Sequence, residues 1–131
     1  MAGHLVDTHA LYGHLTNNPR LGRNAGQVID DAELHGAGLL YLPSIVLAEL
    51  YFLNVKLGRP LDMAVVFQSL RTAGCYRFVA FEATDVLDFD AYAAVPEMHD
   101  RIIIGTCLRL GVACLTRDAN IVNSGLVAVV W

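Results

Sequence analysis

Five short apolar runs recur along this chain, and a helix-length stretch separates each from the next. Gly3–Val6, Leu39–Leu42, Cys75–Phe81, Val112–Leu115 and Leu126–Trp131 read as strands. Ala10–Leu15, Asn24–His35, Ser44 to about Val55, Leu61–Thr72, Thr84–Tyr92 and the stretch opening at Glu97 read as helices, and Asn120–Ser124 as a turn or short helix. Asn17-Asn18-Pro19, Gly36 with Gly38, and Gly58-Arg59-Pro60 supply the breaks. Ser44 is expected as a cap or first-turn residue and Thr84 as a cap. Strands spaced in this way pair in parallel through right-handed crossovers, with helices on both faces. The expected class is therefore α/β, with a central parallel sheet of about five strands. In such open sheets, sites form beyond the carboxyl ends of the strands.

The 131 residues are most simply one domain, 1–131, and 55% hydrophobic against 17% charged residues excludes a disordered chain. Residues 36–52 are apolar enough to raise a membrane helix, but Pro43, Ser44 and Glu49 interrupt them. A mid-bilayer carboxylate costs about 3 kcal/mol, so a strand, a break and a helix explain this stretch better, and no membrane association is expected. Asp7 breaks the first apolar run, which argues against a secretory leader. Cys75, Cys107 and Cys114 are odd in number and lack CxxC spacing, as expected for reduced core thiols in a cytoplasmic protein.

Four acids occupy informative positions. Asp7 ends the first strand and Asp118 follows the fourth, with Thr8 and Thr116 beside them. Asp100 shares a helical face with Ile103, Ile104 and Cys107, which carries its carboxylate to the edge of the core. Glu49 has Ile45, Val46, Phe52 and Leu53 three and four residues away on its helix, and no arginine or lysine within a turn. A glutamate on such a stripe needs a partner, a proton or a metal. Each of the other three has an ordinary alternative: Asp7 could cap the next helix, Asp100 could meet a helix dipole, and Asp118 could be a turn acid.

Carboxylates brought together repel, and some take up protons unless a cation neutralises them. All-oxygen ligands suit Mg²⁺ or Mn²⁺ rather than zinc. Such an ion can lower the pKa of a bound water and orient a phosphodiester for in-line attack. Thr8 and Thr116 could then hold waters or carboxylates in place.

The net charge of −4 excludes a broadly basic nucleic-acid binder, yet with those four acids set aside the remainder is neutral. Eight arginines stand against one lysine, Lys56. Arginine suits bidentate phosphate contacts, though GC-rich coding gives the same imbalance. Arg101 and Arg117 adjoin acids and could grip phosphate or orient a carboxylate, the second being favoured for Arg101. Arg20 and Arg23, in a Gly/Asn/Pro-rich loop, could contact a nucleic acid together with Arg117, though solvated surface charge is the more common explanation for the first two. The five histidines are expected to be structural or surface groups, with His9 the main exception; His99 should diverge from Asp100 by about 100° of helix.

Val6-Asp7-Thr8-His9-Ala10-Leu11, Ser44-Ile45-Val46-Leu47-Ala48-Glu49, His99-Asp100-Arg101-Ile102-Ile103 and Leu115-Thr116-Arg117-Asp118 together resemble the PIN-domain family, above all the VapC-type ribonuclease toxins of toxin–antitoxin pairs. The likeness covers essentially the whole chain. It implies a three-layer α/β fold, a homodimer, and Mg²⁺- or Mn²⁺-dependent cleavage of RNA by water, restrained by a cognate antitoxin. Carried over, Asp7, Glu49, Asp100 and Asp118 are the metal-binding acids, with Thr8 and Thr116 supporting them. Where many relatives have a further acid past the fourth, this chain has Asn120 and Asn123.

Two other readings compete. A PIN-like module could bind RNA or a protein without cutting. Alternatively, Asp7 could be a phosphorylated nucleophile, but that chemistry wants a second acid two residues on, where this chain has His9, or a lysine near the last strand. The apolar surplus of Leu39–Leu53 and Ala64–Phe67 suggests a dimer and a groove for an antitoxin's amphipathic segment.

Overall fold

Leu5, Val6, Leu40, Leu42, Cys114 and Leu115 have no exposed surface. Adjacent residues of one strand point to opposite faces, so strands buried at consecutive positions must be covered on both sides. The computed structural model, which describes residues 3–131, meets that requirement with a five-stranded parallel sheet flanked by helices. Met1 and Ala2 lie outside the described residues. The order along the chain is β1 (Gly3–Val6), α1 (Thr8–Leu15), α2 (Arg23–His35), β2 (Leu39–Pro43), α3 (Ser44–Lys56), α4 (Met63–Ala73), β3 (Tyr76–Val79), a 3₁₀ segment (Ala83–Tyr92), α5 (Met98–Leu110), β4 (Ala113–Leu115), α6 (Ala119–Ser124) and β5 (Val129–Val130).

The strands lie in the order β3-β2-β1-β4-β5, all parallel. β1 is therefore central, with β2 on one side and β4 on the other. The register pairs Val6 with Leu115, which brings the residues just beyond them to the same sheet edge. The backbone N–H of Asp7 still donates to the Leu115 carbonyl at 3.2 Å, so the chain leaves the sheet at Asp7 and turns directly into α1.

Residues 36–52 form β2 and the first part of α3, and no helix among the described residues is long and apolar enough to cross a membrane. Cys75, Cys107 and Cys114 are free and buried. Ser44 opens α3 without capping it; its hydroxyl donates instead to the Val79 carbonyl at 3.3 Å, tying the helix start to β3.

Several boundaries differ from the sequence reading. The helix expected at Thr84–Tyr92 is a 3₁₀ segment starting at Ala83, and its cap is Glu82, whose carboxylate and that of Asp85 form a reciprocal box. α4 begins at Met63 because the Asp62 carboxylate accepts from the amides of Ala64 and Val65. The last strand is two residues long, since only Val129 and Val130 pair with β4.

Half-buried or buried polar groups fix two junctions. Glu33 of α2 meets both the His14 ring of α1 and the Tyr76 hydroxyl of β3. Asn54, 2% exposed on α3, satisfies both backbone groups of Leu61: its amide donates to the carbonyl and its oxygen accepts from the N–H, each at 2.9 Å. This closes the α3–α4 loop, in which Gly58 and Arg59 take left-handed backbone conformations. Replacing Asn54 with alanine leaves those groups without partners, and is expected to destabilise the fold by about 1–3 kcal/mol. An unchanged denaturation midpoint for Asn54→Ala would contradict this role.

Candidate active site

Asp7 caps α1 and faces a cavity at once. One of its carboxylate oxygens accepts from the Thr8 amide at 2.7 Å, and the other from the Thr116 hydroxyl at 2.6 Å. The Thr116 hydroxyl in turn accepts from the Asp118 amide at 3.0 Å. One hydroxyl at the end of β4 thus positions both the first acid and the loop carrying the last. Asp118 caps α6 through the Asn120 amide at 2.9 Å. The cap readings of Asp7 and Asp118 therefore hold, and capping leaves both carboxylates facing the cavity.

Glu49 and Asp100 come from helices on either side. The Thr8 hydroxyl donates to Glu49 at 3.1 Å, joining α1 to α3. Glu49 sits beside the buried stripe of Val46, Leu50 and Asn54 rather than within it, for Phe52 is 70% exposed. Asp100, in the first turn of α5, is buried and accepts from the Asn120 side-chain amide at 3.3 Å. Asn120, two residues past Asp118, thus steadies one of the four.

All four carboxylates line one open cavity of about 400 Å³, with Thr8, His9, Phe52, Leu53, Lys56, Glu97 and His99. Among the described residues, no arginine or lysine forms an ion pair with them. Burial pushes Asp7 above the ordinary carboxylate range, and the charge of Asp118 adds to this, while the Thr116 and Thr8 hydrogen bonds oppose it. Burial likewise raises Glu49, with Asp7 adding to the rise and Thr8 resisting it. Asp100 is pushed up to about 6, by burial first and by Asp118 second.

This donor set suits a hard divalent ion. Among the described residues, no three His, Cys, Asp or Glu side chains converge closely enough to enclose an ion by themselves. Mg²⁺ commonly takes one or two carboxylates and keeps several waters, which fits carboxylates spread around an open cavity. A zinc cage would require tighter convergence.

Some expected roles require correction. His99 does not face elsewhere: its Nδ1 lies 3.4 Å from Glu49 and 3.6 Å from Glu97. The cavity lies over the first turn of α5, so Glu97, His99 and Asp100 all reach it despite their angular separation. Arg101 orients no carboxylate. Its guanidinium donates to the carbonyls of Val95 (2.6 Å), Ala93 (3.3 Å) and Phe89 (3.4 Å), holding the 3₁₀ segment and the chain after it. Arg20 and Arg117 line a second cavity beside the first, whereas Arg23 lines a separate depression with Asn17, Gln27 and Asp30. Lys56 was missed as a site residue, although it stands seven residues from Glu49, on the same side of α3.

The raised Asp100 pKa has a definite sign for stability. The unfolded chain ionises this group near its ordinary value of 3.8, the folded chain at about 6. Between these values the native state holds the extra proton, so metal-free stability falls as pH rises through the interval. Asp100→Asn removes this penalty. Treated with chelator, it is expected to melt a few degrees above the parent at about pH 7.5 and level with it at about pH 4. Thermal melts at the two pH values check this; an equal difference at both would contradict it.

Comparison with known proteins places the chain. The PIN domain family model matches residues 4–124. No curated protein sequence matches. Among solved structures, the chain is similar to VapC20 of Mycobacterium tuberculosis, described as a Sarcin-Ricin loop cleaving toxin, with a TM-score of 0.71 and 13% identity over 93% of this chain and 95% of that one. It is similar to FitAcB from Neisseria gonorrhoeae, with a TM-score of 0.68 and 19% identity over 96% and 95% of the two chains. It is also similar to FitAB bound to an IR36 DNA fragment, with a TM-score of 0.66 and 18% identity over 97% and 93%. At these identities the likeness is one of fold. With a family match across nearly its whole length and a five-stranded parallel sheet whose carboxyl edge carries four acids, the chain belongs to the PIN domain family.

Proposed function

We propose that this chain, acting as a single domain over residues 1–131, is a metal-dependent endoribonuclease and the toxin of a toxin–antitoxin pair. The observation that carries the reading is the meeting of Asp7, Glu49, Asp100 and Asp118 in one cavity without a pairing arginine or lysine among the described residues. A fold that gathers like charges at a destabilising cost is expected to use them. Asp7, Glu49, Asp100 and Asp118 would together hold Mg²⁺ or Mn²⁺, Asp7 and Asp100 being the most buried of the four. Such an ion would supply charge neutralisation and lower the pKa of water, making hydroxide available as the nucleophile toward phosphorus. Thr116 and Thr8 keep the Asp7 and Glu49 oxygens turned into the cavity, and His99 beside Glu49 is placed to exchange a proton with that carboxylate. The toxin part of the reading is supported by the likeness to VapC20, named as a toxin, and to FitAcB and FitAB. Reduced thiols and the absence of a spanning helix among the described residues fit a cytoplasmic site of action.

Asp7→Asn and Asp100→Asn are each expected to abolish cleavage of a mixed RNA pool in Mg²⁺ or Mn²⁺ while remaining folded. Thr116→Val, which frees the Asp7 carboxylate, is expected to reduce cleavage about 10–100-fold. Undiminished cutting by either aspartate variant would overturn the assignment. The second reading, a PIN module that binds without cutting, draws on the lack of three converging ligands among the described residues. Calorimetric titration with Mg²⁺ separates the two: millimolar or tighter binding that is lost in Asp100→Asn supports the nuclease, and no binding supports the module.

The same reading includes a homodimer and an antitoxin groove. Tyr51, Phe52, Val55 and Leu57 leave an exposed apolar surface on and just after α3, with Val65 exposed on α4. Sedimentation at micromolar concentration is expected to show a dimer, and a monomer would exclude it.

A further inference from the structure

A second cavity, of about 250 Å³, shares His9, Leu53 and Lys56 with the four-acid cavity. Its composition is the reverse of its neighbour's. Arg20, Lys56 and Arg117 line it, no aspartate or glutamate does, and Tyr12, Leu21, Leu53, Leu57 and Trp131 supply apolar walls. In a chain of net charge −4, an acid-free basic hollow against the acidic site is a marked local reversal. The Arg117 guanidinium lies 5.4 Å from the centre of the Trp131 ring, within cation–π range.

Trp131 is itself held. Gly22, at the start of α2, lies so close to it that a Cβ there would collide with the backbone and ring of Trp131. Arg117 also stands between Thr116 and Asp118, which fix its backbone through their hydrogen bonds. The cation is therefore restrained from both ends, which lowers the entropy lost when it meets an anion. It is the one candidate RNA contact tied by the chain directly to two site residues.

We propose that this cavity is a nucleotide subsite, receiving the base and phosphate adjoining the cleaved bond of a single-stranded RNA. The proposal rests on the nuclease reading and names where its substrate lies. Phosphate meets Arg117 and Lys56, and the unstacked base enters among Tyr12, Leu21 and Leu57. A cavity of this size admits one nucleotide unit but no base pair, and bases free of a duplex are the ones a protein can take into such a pocket. The cationic wall also offsets the repulsion between the four acids and an approaching polyanion.

Trp131 is the only tryptophan, so its emission reports on the subsite alone. The probe is a fluorescein-labelled hexauridylate in Mg²⁺, bound to the Asp100→Asn protein so that it survives, with an unlabelled hexauridylate used for tryptophan emission. The expected results are a change in Trp131 emission on binding and several-fold weaker anisotropy-measured affinity for Arg117→Gln and for Lys56→Gln. Each substitution should also reduce the slope of log affinity against log salt by about 0.7, as for one lost phosphate contact on a single strand. Arg71→Gln, which removes a charge from α4 and lines neither cavity, should leave both quantities unchanged. Lys56 is exposed, so its variant is readable even where Arg117→Gln folds poorly. Binding that leaves Trp131 emission unchanged and is insensitive to both substitutions overturns the subsite, as does equal affinity for a duplex of the same length. If the parent protein cuts no RNA while these binding effects appear, the nuclease reading fails, and with it the placement beside a cleaved bond, while single-strand binding in this cavity stands.

Discussion

The hydrogen bond from Thr116 to Asp7, 2.6 Å long, spans 109 residues of sequence and joins the carboxyl ends of two neighbouring strands. Much of the site depends on it. The β1–β4 register puts Val6 opposite Leu115, so the next residue of each strand leaves the sheet at the same level. Thr116 then donates to one acid and accepts from the amide of another, acting in both directions through a single oxygen. Without such donors, burial and mutual repulsion would drive the carboxylates toward protonation or apart. The hydroxyl of Thr8 does the same for Glu49.

This arrangement is a local conflict within an otherwise consistent fold. Leu5, Val6, Leu40, Leu42, Cys114 and Leu115 of the central strands are wholly buried, while the carboxyl edge of the sheet gathers charges that oppose one another. Conflicts of this kind are expected at functional sites, where a structure gives up some stability to hold groups ready for chemistry. The adjoining basic hollow completes an electrostatic pair: one half suits a divalent cation, the other the phosphates of a nucleic acid. Residues of α1 and α3, His9, Leu53 and Lys56, form the shared wall, so the same two helices shape both halves.

The two arginines beside the acids show how far a linear pattern reaches. Arg101 and Arg117 each adjoin a carboxylate in the sequence, yet Arg101 turns back to three carbonyls between Phe89 and Val95, while Arg117 lies against Trp131. Arg101 sits on a helix packed against the 3₁₀ segment, and the carbonyls of that segment and of the chain after it accept from its planar donor array. Arg117 sits on the loop between β4 and α6, where the Trp131 ring lies beside it. His99 departs from the expectation of its helical angle for a related reason. Angular divergence separates side chains along the flank of a helix, but not where a cavity lies over its first turn.

Strand-length apolar runs alternating with helical stretches were enough to determine the parallel α/β class, and acids following two of those runs marked the sheet edge where a site would form. Local chemistry determined these features, since side-chain periodicity and the disfavoured burial of charge act within a few residues. Tertiary structure alone decided which cations stand near the acids, that His99 and Lys56 join them, that Arg23 does not, and that a basic hollow opens beside them. Those outcomes depend on how helices from distant parts of the chain are laid against the sheet. Long, flexible cationic side chains take their direction from whatever acceptors that packing brings within reach.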